Sequence, residues 1–162
     1  MKFSSIKEYF YRLQSVCYAL LLLPLGLLIV VYFTKSQSES FIVEDEQYVL
    51  VLKILFTVIA IAELTIVHLF LKSKFKQIMV LPSLGDRLDK FVSISFIRTA
   101  VGITSSLIML LGFFLTGNNW FIALILIILC IVFFQRPTPS RLCQELQLKG
   151  SEKELILNGE LK

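Results

Sequence analysis

A chain of 162 residues that is 56% hydrophobic by count, with a mean hydropathy of +0.79, exceeds the apolar share of about 45–50% found in soluble domains. That excludes a water-soluble globule, and the polar stretches between the apolar runs are too short to hold a separate catalytic domain. The formal charge of +4 sits on clustered lysines and arginines, which in so apolar a chain report orientation; no nucleic-acid partner is expected.

Four apolar runs, at residues 16–33, 48–71, 91–115 and 120–134, are long enough or nearly so to cross a hydrocarbon core of about 30 Å at 1.5 Å per helical residue. The expected fold is therefore all-α: a four-span transmembrane helical bundle with an N-terminal interfacial helix extension and short cytoplasmic C-terminal helices. Residues 1–135 form one membrane domain, and residues 136–162 form an amphipathic tail.

Taken in order, Ser5 followed by Glu8 has the spacing of a capping box. Phe10 and Leu13 continue an apolar stripe begun at Ile6 and Tyr9, so the first turns read as interfacial. The first apolar run is longer than the core of a signal peptide and is read as a span. Pro24 removes a backbone donor inside it, which predicts a kink, and Gly26 beside it allows close helix contact. Residues 35–47 form an acidic solvent loop. The second run leads into Lys72, Lys74 and Lys76, then a turn at Pro82 and Gly85 before Arg87 and Lys90. Gly117, Asn118 and Asn119 predict a tight reversal, with Trp120 at an interface. Pro137 and Pro139 stop the fourth run, and Thr138 with Pro139 starts a tail helix. Ser151 with Glu154 repeats the capping-box spacing and starts a second tail helix.

Basic residues set orientation. All except Lys35, Lys53 and Arg98 lie in the N-terminal segment, the central loop or the tail. The alternation places both termini in the cytoplasm of a cell whose plasma (inner) membrane holds the chain.

Glu63 and Arg98 are the charged residues deep inside the apolar runs. Counted from Lys72 and Lys90, each lies roughly 12–13 Å along its helix from the cytoplasmic end. A lone charge at a helix centre costs about 2.5–3.5 kcal/mol, and a guanidinium meets a carboxylate through two parallel hydrogen bonds. The expectation is a Glu63–Arg98 pair fixing the second helix against the third, supported by Tyr18, Ser95 and Thr99. Two other readings stand beside it: Arg98 snorkels to head groups, or Glu63 titrates as a proton site. The third run carries small and hydroxylated residues at helical spacing, from Ser95 and Thr99 through Gly102, Ser105, Ser106 and Met109 to Gly112 and Thr116. That is the face expected to pack.

The sequence holds no glycine-rich phosphate loop, no HExxH and no paired cysteines. One histidine, His68, and the isolated Cys17, Cys130 and Cys143 give no metal-ligand spacing. Neither catalysis, a metal nor a cofactor is expected. Lys72, Lys74, Lys76, Arg87 and Lys90 are candidate contacts for anionic lipid. The first reading of function is a non-catalytic accessory or scaffold subunit in the lipid bilayer that binds a protein partner through its cytoplasmic loop and tail, or forms a homo-oligomer. The alternative is a small oligomeric proton-coupled transporter using Glu63.

Overall fold

The computed structural model describes residues 6–36, 41–43, 45–81, 83–148, 150, 153–154 and 156. They form five helices and, among them, no strand: α1 Ile6–Ser36, α2 Glu46–Met79, α3 Leu84–Thr116, α4 Asn119–Phe134 and α5 Pro139–Glu145. Helices α1, α2 and α3 are long and apolar enough to cross a membrane. Helix α4 joins them as a span only when taken with α5, from which it is bent by 83°.

The breaks between helices follow from local chemistry. Helix α3 ends at Gly117, whose φ of 63° is left-handed and whose N–H donates to the Phe113 carbonyl at 2.7 Å. A side chain there would be strained and would strike the Phe41 ring, so glycine is required. Asn118 then caps α4 by accepting from the Trp120 N–H at 3.0 Å. Thr138 caps α5 in the same way through the Arg141 N–H, with Pro139 at the first position. Both turns agree with the sequence expectation. The Ser5 and Ser151 capping boxes fall on residues outside those described, although Lys153, Glu154 and Ile156 are helical. Helix α1 runs on through Pro24, which is fully buried. Gly26 faces open space, not a neighbouring helix.

Helix α3 is the hub, with α1, α2 and α4 packed around it. Its small-residue face is the buried one: Ser95, Thr99, Ser105, Ser106, Met109 and Thr116 are all shielded. The close approach to α4 has a local cause. A methyl group added at Gly102 would overlap Val132, and one at Gly112 would overlap the Phe121 ring. Helix α2 rests chiefly on α3, as expected of the second and third runs, but it is the most exposed of the long helices.

Two apolar clusters hold the chain. One joins α1, α3 and α4 through Leu21, Met109, Phe113, Phe121 and Ile125. The other lies at the opposite end and includes Phe10, Leu71, Phe91, Leu142, Leu146 and Ile156. The described apolar residues of the tail, Leu142, Cys143, Leu146, Leu148 and Ile156, are thus built into the end of the bundle beside Phe10, Leu71 and Phe91.

Candidate functional site

The structure separates Glu63 from Arg98. Glu63 Oε1 accepts from the Thr104 hydroxyl at 2.6 Å and Oε2 from the Ser105 hydroxyl at 2.8 Å. Arg98 Nη1 instead donates to Glu145 of α5 at 3.0 Å, and its guanidinium lies 5.5 Å from the centre of the Phe75 ring. The expected Glu63–Arg98 pair does not form.

The reason is register. Helix α2 continues past Lys72, Lys74 and Lys76 to Met79, and α3 begins before Lys90, at Leu84. The lysines therefore do not mark the helix ends from which depth was counted. The hairpin is closed by Arg87 Nε donating to the Leu81 carbonyl at 2.6 Å. Phe75 then lies against Phe91, ring centroids 6.3 Å apart, and the same register brings Glu63 level with Thr104 and Ser105. Arg98 is six to seven residues short of that level, roughly 9–10 Å along α3.

The residues expected to support the pair do other work. Ser95 and Thr99 donate to the Phe91 and Ser95 carbonyls of their own helix, and Thr99 also reaches Cys17 Sγ at 3.7 Å. Tyr18 accepts a hydrogen bond from Arg136 and lies against Phe133, 5.9 Å between centroids. Together with Gln14, whose amide donates to the Pro137 carbonyl at 2.9 Å, Tyr18 ties the α4–α5 bend to α1.

Glu145 is the charged centre that sequence reasoning missed. Its Oε1 accepts from both Arg98 and Arg141, each at 3.0 Å, while Oε2 is buried with no hydrogen-bond partner. Arg141 also donates from Nη1 to the Phe134 carbonyl at 2.7 Å, covering the open end of α4. The signal available in the sequence was the Arg141–Glu145 spacing of four beside the apolar Leu142 and Leu146.

The basic central loop is divided by the hairpin. Lys72 and Lys76 line a cleft of about 720 Å³ that also contains Arg98, Arg141, Glu145 and His68. Lys74 and Lys90 line a different cleft, of about 320 Å³. Lys74 also lies 5.5 Å from the centre of the Phe70 ring. Among the described residues, no group of three or more His, Cys, Asp or Glu is placed to hold a metal ion. Comparison with protein-family models, with curated proteins and with solved structures found no match.

Proposed function

We propose that the chain is a four-span membrane protein with both termini on the cytoplasmic side, acting without catalysis as an accessory subunit that binds another membrane protein through α2. The supporting observation is Glu63. It lies near the middle of α2, held by two hydroxyls and by no cation among the described residues, beside an exposed apolar stripe that includes Ile59, Ile66 and Phe70. A carboxylate facing lipid at that depth costs several kcal/mol unless it is paired. Two hydroxyls offset only part of that cost, so a partner helix bringing a lysine, an arginine or a donor amide completes the site.

A second copy in the same orientation does not supply that cation. Arg98 lies towards the cytoplasmic end of the level of Glu63, and Lys53 lies ten residues away along α2 towards the other end. The described part of the tail is a poorer docking element than its sequence suggested, because Leu142, Cys143, Leu146, Leu148 and Ile156 are already covered.

The test is the size of the complex extracted from native membranes in mild detergent. The wild type migrates in a larger assembly, and Glu63→Gln and Ile66→Trp, each substituted on the α2 face, both release it as a folded single chain. Retention of the assembly by both variants refutes the reading, as does a wild type that runs alone. The proton-coupled carrier draws on the same unpaired acid. It gains if Glu63→Gln keeps its assembly yet loses a proton-dependent flux in liposomes.

A further inference from the structure

Helices α2 and α4 flank α3 without packing along their length. They meet at one end, where the Phe56 and Phe121 rings are 6.0 Å apart. Towards the α5 end a cleft of about 720 Å³ opens between them, within the range of about 300–1,000 Å³ typical of small-molecule sites. Its chemistry is divided. Leu64, Val67, Val101 and Ile131 are among its apolar lining, and Lys72, Lys76, Arg98 and Arg141 line it against the one carboxylate of Glu145.

Arg98 is the informative member. Its side chain is only 17% exposed. Nη1 is engaged by Glu145, and the remaining N–H groups have no acceptor among the described residues. The guanidinium lies over the Phe75 ring, 5.5 Å from its centre, and Glu145 accepts from both Arg98 and Arg141 through a single oxygen. A planar donor fork with unused N–H groups, beside a second guanidinium and in a cleft that two lysines also line, suits a phosphate ester. The apolar lining suits hydrocarbon and not a free ion.

We infer that this cleft binds one anionic glycerophospholipid, its phosphate on Arg98, Arg141, Lys72 and Lys76 and an acyl chain along the α2–α4 groove. The inference depends on the chain lying in a membrane but not on the partner proposed for Glu63. It also separates lysines that the sequence could not separate. Lys72 and Lys76 belong to the site, whereas Lys74 and Lys90 line the other cleft.

The test is a lipid titration of the full chain in detergent, read by native mass spectrometry. The probes are phosphatidylglycerol, phosphatidylcholine with the same acyl chains, and inorganic phosphate. The wild type retains phosphatidylglycerol in preference to phosphatidylcholine. The double variant Lys72→Gln, Lys76→Gln weakens retention by about 30-fold, two charges at about 1 kcal/mol each converted at 1.4 kcal/mol per decade. Lys74→Gln with Lys90→Gln removes the same charge and leaves retention within about threefold. Equal losses from both double variants, or a loss from neither, overturn the site. So does equal retention of phosphatidylcholine. Displacement by inorganic phosphate at concentrations equal to those of the lipid overturns the acyl part and leaves an anion site only.

Discussion

Replacing Glu145 by alanine removes the one carboxylate that joins α5 to α3. Cutting one partner from a buried ion pair costs 3–5 kcal/mol in general. Here Arg98 and Glu145 are 17% and 19% exposed and Arg141 is 33% exposed, so the freed guanidiniums reach some water, and Arg98 keeps the Phe75 face. About 2 kcal/mol is the expected loss in docking free energy, which raises the undocked population of the tail about 30-fold at 1.4 kcal/mol per decade. Cys143 reports that population, being buried in the same apolar cluster as Leu142 and Leu146. Burial pushes its thiol above the ordinary value of 9.0, while Lys153 pulls it the other way. The reactive species is the thiolate, so the docked tail labels slowly with a maleimide. With Cys17 and Cys130 replaced by alanine, labelling at neutral pH accelerates about 30-fold in Glu145→Ala when reclosing outpaces reaction. An unchanged labelling rate refutes the reasoning, because α5 would then be held by its apolar contacts alone.

Three further outcomes follow, two from the packing and one from the thiol. Gly112→Ala places a methyl group inside the buried Phe121 ring and lowers unfolding stability in detergent by about 1–3 kcal/mol through overpacking. Gly26→Ala, which faces open space, gains up to about 1 kcal/mol from helix propensity. The raised Cys143 pKa has a definite sign: the docked tail binds the thiol proton more tightly than the free tail. That stabilisation is complete below the free thiol's value near 9.0 and is lost as pH rises through the higher docked value. A fluorescence distance between α5 and α3 therefore grows above pH 9 in the wild type and not in Cys143→Ala.

The parts of the fold that the sequence made legible are those decided locally. Apolar length marks the long helices, Gly117 and Asn118 mark one reversal, and Thr138 with Pro139 marks the start of α5, because each depends on neighbours a few residues away. The packed face of α3 was legible for the same reason, since small and hydroxylated residues recur on one helical side. Depth was not legible. Lysine stems lie along apolar surface while their ammonium groups reach outward, so a helix can pass through Lys72, Lys74 and Lys76 without ending, and the hairpin register comes from Phe75, Phe91 and Arg87 instead. Glu145 was invisible as a partner for Arg98 because 47 residues separate them, and no periodic pattern relates an acid in the tail to a cation in α3.

The claim beneath these readings is that Arg98 belongs to the tail and Glu63 to the hydroxyls of α3. Double-mutant cycles on unfolding in detergent measure it directly, using Arg98→Ala with Glu145→Ala beside Arg98→Ala with Glu63→Ala. Residues in contact couple by about 0.5–3 kcal/mol, and distant ones add to within about 0.5 kcal/mol. The account predicts coupling of about 1–2 kcal/mol for Arg98 with Glu145 and additivity for Arg98 with Glu63. Coupling in the second cycle and additivity in the first would contradict it.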